Sequence, residues 1–123
     1  MPYTACIHTL ETHLKITVSG TMDSYEEQAD FSLLLARLGG EYEQQRLLLD
    51  ERLLRKHLDA LDAYRLAESP TSAEAAVRGV RTACVPNPED LAFAKILETS
   101  LSNRSISYRV FSSEAEAEVW LLR

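Results

Sequence analysis

The sequence predicts an α/β fold: a mixed, mostly parallel sheet of about five strands in the order ββαβαβαβα, with helices packed on it. Three observations carry that reading. Leu14, Ile16 and Val18 alternate with Lys15 and Thr17, as in a strand with one wet face. Leu47-Leu48-Leu49 is continuous, as in a central parallel strand covered on both sides. Helix-start signals recur between the strand-like segments, and a hairpin feeding alternating helix and strand implies right-handed crossovers.

Tyr3 to Leu10 is β-rich, and Glu11-Thr12-His13 is a polar turn that folds it back on Leu14 to Val18. Gly20-Thr21-Met22 breaks the second strand. Asp23 with Glu26, or Ser24 with Glu27, forms a capping box for a helix running to Leu38, with Phe31, Leu34, Leu35 and Leu38 inward. Gly39-Gly40 is expected to stop it. Gln45 to Asp50 is the central strand. From Glu51 to Arg78 the pattern is weakest: Leu54, Leu58, Leu61, Tyr64 and Ala67 fall at helical spacing. Ser69-Pro70-Thr71-Ser72 ends that helix, and a short turn restarts over Ser72 to Val77. Val80 to Val85 returns to strand. Asn87-Pro88-Glu89-Asp90 combines a cap, a proline suited to the first turn, and acids at the positive end of the next helix. That helix places Ala94, Leu97 and Leu101 inward and ends near Asn103. Ile106 to Phe111 is the last strand, and Ser113 with Glu116 opens a final helix in which Trp120 is expected to be buried.

Residues 1–123 read as one domain, without repeat or linker. Hydrophobic residues are 46% and charged residues 26%, values of a chain that folds rather than staying disordered. Lys and Arg total 13 against 19 Asp and Glu, a net charge of -6 that disfavours general affinity for nucleic acid. No apolar run reaches the roughly 20 residues of a membrane-spanning helix. Met1-Pro2-Tyr3-Thr4 shows no secretory leader, which points to the cytoplasm. Cys6 and Cys84 lie in apolar surroundings and read as two small buried hydrophobes in a reducing compartment.

The strand Arg46-Leu47-Leu48-Leu49-Asp50 ends on an acid. The chain closes on Tyr108-Arg109-Val110-Phe111-Ser112-Ser113, then Glu116-Ala117-Glu118-Val119-Trp120-Leu121. With the element order, these segments resemble the anti-sigma-factor-antagonist (STAS) fold, specifically its SpoIIAA-like subgroup. The resemblance implies a bacterial regulatory module of that fold. Classical antagonists carry an Asp-Ser-Ser-Gly-like switch whose serine is phosphorylated. Here that place reads Asp50-Glu51-Arg52-Leu53-Leu54-Arg55, so the switch does not transfer.

Asp50, Arg52 and Arg55 are the candidate ligand-binding residues. Ligands of open α/β sheets gather outside the carboxyl ends of the strands, where Asp50 stands. Arg52, Arg55 and Lys56 follow as an anion-binding rim beside a helix start, or as an exposed helix face paired with Glu51 and Asp59. A response-regulator receiver is excluded, because Ser19-Gly20-Thr21 is no acidic pair and Ser112-Ser113 supplies no lysine. His8 and His13 read as surface residues without a third metal ligand, and His57 as a lone titratable group. Tyr25, Phe31, Tyr64, Phe93, Phe111 and Trp120 read as core. No nucleophile elbow, dinucleotide fingerprint or phosphate loop is present, so neither an enzyme nor a cofactor is expected.

The residues thus point to a non-enzymatic interaction or regulatory module, its protein partner unidentified, and to a homodimer formed through the uncharged first strand. The alternative is a small-ligand or lipid-binding domain with its site near Asp50. A pocket of roughly 300 Å³ or more would favour the ligand binder, and an exposed apolar patch the interaction module.

Overall fold

A computed structural model of the chain describes residues 3–123; Met1 and Pro2, where the N-terminal reading began, lie outside it. The strands are β1 (Tyr3–Thr9), β2 (Leu14–Met22), β3 (Arg46–Lys56), β4 (Arg81–Pro86) and β5 (Ser107–Val110). The helices are α1 (Tyr25–Glu41), α2 (Ala60–Ala67), α3 (Pro70–Val77), α4 (Leu91–Ser102) and α5 (Glu114–Leu121), with a 3-10 turn over Pro88–Asp90. Spatial order follows chain order, β1-β2-β3-β4-β5. The β1–β2 pair is antiparallel and the other pairs are parallel.

That monotonic order decides the layering. Right-handed crossovers that all step in one direction place their helices on one face of the sheet. Phe31 and Leu38 of α1, Ala63 and Leu66 of α2, and Leu97 and Leu101 of α4 accordingly share one core with Leu14, Ile16, Val18, Leu47 and Leu49. The helix α5 is free of any crossover and covers the opposite face, where Ala117 and Leu121 pack on Leu48, Ala83 and Val85. The triple-leucine strand is therefore buried from both sides. Beyond the reach of α5 the same face is wet, with Thr4, Cys6 and His8 of β1 exposed.

Local chemistry sets most boundaries. Ser24 caps α1 by accepting from the Glu27 N–H, and Glu27 Oε1 accepts from the Asp23 N–H. Asn87 caps the 3-10 turn that leads into α4 and Ser113 caps α5, while Ser69 caps a full α3 that begins at Pro70. The helix α1 does not stop at Gly39-Gly40 but continues to Glu41. Gly39 instead answers a close approach: a Cβ there would lie 3.2 Å from the Gln44 carbonyl oxygen. Glu43, with φ 50°, makes the left-handed reversal.

The main departure from the sequence reading is Glu51 to Lys56, which is strand rather than helix. Thr17 pairs with Asp50 but Ser19 with Leu53, so β3 carries one extra residue against β2. Such a bulge reverses which residues face inward. Leu47, Leu49 and Glu51 point to the helical face before it, and Leu54 and Lys56 after it.

Four single-residue expectations are also corrected. Cys6 is exposed, because it lies opposite Thr17 on the uncovered side of an edge strand. His13 is only 2% exposed, folded in at the hairpin with Nδ1 3.0 Å from Thr12 Oγ1. Tyr64 is exposed on α2. Trp120 is half-buried: an eight-residue helix inserts only one stripe, and here that stripe is Ala117 and Leu121.

Candidate functional site

Because β3 runs on to Lys56, Asp50 stands in mid-strand rather than at the strand end the sequence suggested. From there onward β3 carries two different polar groupings, one on each face of the sheet. On the α5 side lies Asp50. Arg52 grips it with two parallel hydrogen bonds, Nε to Oδ1 at 2.8 Å and Nη2 to Oδ2 at 2.7 Å. That guanidinium holds the Asp50 carboxyl below the ordinary carboxylate range, against the opposing effect of burial. Glu114, at the start of α5, joins Arg52 at 3.4 Å to Lys15 at 2.9 Å. Arg55 points elsewhere, to Glu89 and to Asp90 Oδ2, which also accepts from the Lys56 N–H. The structure thus gathers Asp50 with Arg52 and separates both from Arg55. No helix begins here, so these side chains form neither the exposed helix face nor a rim at a helix start.

On the helical face the same stretch of β3 buries a full ion pair. Lys56 Nζ lies 3.0 Å from Glu51 Oε1, with side-chain exposures of 5% and 4%. The ammonium also lies 5.3 Å from the centre of the Phe93 ring. Cys84 on β4 donates its thiol to Glu51 Oε1 at 3.4 Å, and Tyr108 on β5 is buried in the same core. Burial pushes both the Cys84 thiol and the Tyr108 phenol well above their ordinary values, and the nearby Glu51 charge adds to each shift. Both groups are therefore protonated at neutral pH.

The Glu51–Lys56 pair lines a cavity of about 110 Å³ between the sheet and α1, α3 and α4. Phe31, Leu35, Leu49, Leu97, Leu101 and Ile106 form apolar walls. Gln28, in the first turns of α1, is 4% exposed, and its Oε1 has no hydrogen-bond partner. The outer wall is thin, because α3 buries none of its own residues. At about 110 Å³ the chamber falls short of the roughly 300 Å³ expected of a ligand pocket. It approaches the roughly 150 Å³ that hold one benzene, so it suits a body of a few heavy atoms. Among the described residues, no group of three His, Cys, Asp or Glu could hold a metal ion, and no helix is long and apolar enough to cross a membrane.

Gln28, Lys56, Cys84 and Tyr108 were not singled out for this site from the sequence, and Glu51 was assigned to a surface pair. One signal was present: Leu47, Leu49 and Glu51 continue a period of two, which places Glu51 inward. The bulge that brings Lys56 back to the same face leaves no mark in the sequence.

No protein-family model matches the chain, and no curated protein matches it significantly. Among solved structures it is similar to an uncharacterised protein of the DUF3478 family with a SpoIIAA-like fold from Shewanella loihica PV-4. The two share 20% identity with a TM-score of 0.52, over 97% of this chain and 93% of that one. The five-stranded mixed sheet, its hairpin opening and its helical layers accord with that likeness, and the fold of this chain is SpoIIAA-like.

Proposed function

We propose that the chain is a cytoplasmic, non-enzymatic binding module that takes a small, mainly apolar molecule into the chamber beneath α1 and α3. One observation carries this: buried polar groups converge on an otherwise apolar cavity. Burying an ion pair carries a desolvation cost that apolar residues of similar volume avoid. Gln28, which lines the same cavity and whose Oε1 has no hydrogen-bond partner, adds a second cost. Both features fit a site built to meet a ligand. It lies beside Asp50 along β3, but on the other face, through Glu51.

Benzene tests the reading. It should shift the backbone amide resonances of α1 and α4 in the intact chain, and an Ala75→Trp variant, which fills the chamber from α3, should lose that response. Absence of any benzene-induced shift in the parent chain would overturn it.

A second reading, interaction with another protein, rests on β1. Thr4, Cys6, Ile7, His8 and Thr9 are exposed, and no charged side chain protects this edge strand. Strand addition by a second copy would cover it and give a two-fold dimer. Sedimentation equilibrium at micromolar concentration decides it, since a mass of 13.8 kDa rejects the dimer.

A further inference from the structure

Building on the chamber as a binding site, we infer that its ligand is an uncharged amphiphile: a hydroxyl or primary amide head on a short aliphatic or single-ring body. The head follows from what the buried polar groups lack. Gln28 Oε1 is a buried acceptor with no donor. Lys56 has three N–H groups, and its recorded partners are one carboxylate oxygen of Glu51 and the face of Phe93. A group that donates to Gln28 and accepts from Lys56 completes both. Hydroxyls and primary amides do this; ethers and hydrocarbons do not.

Charge narrows the class further. Glu51 and Lys56 are one anion and one cation at 3.0 Å, both nearly inaccessible to water. A carboxylate head would set a second anion beside Glu51, and an ammonium head a second cation beside Lys56. Beside that buried pair either leaves an uncompensated charge, which is strongly unfavourable, while the other two charged residues of the lining, Glu74 and Arg78, stand at the more open α3 side. A neutral head at the pair preserves the balance. The walls of Phe31, Leu35, Leu97 and Leu101 then take an apolar body, and a volume of about 110 Å³ limits it to a ring or a short chain.

The test uses four probes built on one ring on the intact chain: benzene, benzyl alcohol, benzoate and benzylammonium, titrated against the amide resonances of α1 and α4. Benzyl alcohol should bind about tenfold more tightly than benzene, the effect of roughly one added hydrogen bond to a buried group, and at least that much more tightly than the two charged probes. Gln28→Leu should abolish the preference over benzene while benzene binding persists; Gln28→Met serves if the leucine variant fails to fold. Benzoate or benzylammonium matching the alcohol would overturn the ligand class but leave the chamber as a site. So would a benzyl alcohol preference that survives loss of Gln28. If none of the four shifts these resonances, both the ligand class and the binding reading fall.

Discussion

Glu51 and Lys56 share one strand, and their side chains meet at 3.0 Å on the same face although their positions differ by an odd number. An unbroken strand would send them to opposite faces. The bulge opposite Thr17–Ser19 reunites them, so a one-residue irregularity in strand pairing creates the buried charge pair.

Removal of either partner should destabilise the fold strongly. Lys56→Met or Glu51→Leu alone leaves an uncompensated charge and should cost about 3–5 kcal/mol, whereas the double variant should return to within about 1 kcal/mol of the parent. Urea unfolding of the four proteins gives the coupling directly. Additive losses would show that the two charges do not act as a pair.

Asp50 makes stability depend on acid. Its carboxyl is held below the ordinary carboxylate value by Arg52, so the folded state binds a proton less readily than the unfolded chain. The contribution is full above pH ~4 and is lost as pH falls through the lowered folded value. Arg52 is half exposed, which limits the pair to about 1 kcal/mol. Asp50→Asn should therefore be less stable than the parent at neutral pH and lose less on acidification. Parallel pH profiles for the two proteins would refute this.

The two cysteines should differ sharply in reactivity. Cys84 is fully buried, and its thiol is held protonated by desolvation and the adjacent Glu51, while Cys6 is exposed on β1. A thiol reagent should modify Cys6 in the folded chain and reach Cys84 only on unfolding. Rapid labelling of Cys84 under native conditions would mean that its surroundings open.

On α5 the smaller residue should matter more. Leu121 is 0% exposed, and Leu121→Ala should cost about 2–5 kcal/mol. Trp120 rests against the Arg81 guanidinium at 4.3 Å and tilts against Phe111 at 5.8 Å. Because this ring is only partly buried, Trp120→Ala should cost about 1–2 kcal/mol. Denaturant midpoints rank the two, and a larger loss at Trp120 would contradict the packing.

The sheet was legible because its signals are local. Alternation at Leu14 to Val18, the unbroken leucines of β3 and the caps at Ser24, Asn87 and Ser113 each need only a few neighbouring residues to be read. The site was less so. Lys56 is inward only through a bulge defined by pairing with β2, and Leu54, Leu58 and Leu61 happen to repeat at helical spacing across a strand, a loop and a helix. Gln28 looks like any polar residue near a helix start until α3 and α4 close around it. Asp50 and Arg52 are visible because an apolar run closing on an acid is a local feature, although the strand continues past it, whereas the chamber requires the sheet and three helices to converge.

The monotonic strand order also bears on how the chain assembles. Every strand lies beside its neighbour in sequence, but only β1 and β2 pair through a short turn, and each parallel pair must close across an intervening helical segment. Such non-local parallel pairing carries a loop-closure cost and slows folding. The α5 face depends on one further event. Leu48, Ala83 and Val85 stay uncovered until the eight-residue α5 docks on them, which makes that docking the step that removes this apolar face from solution.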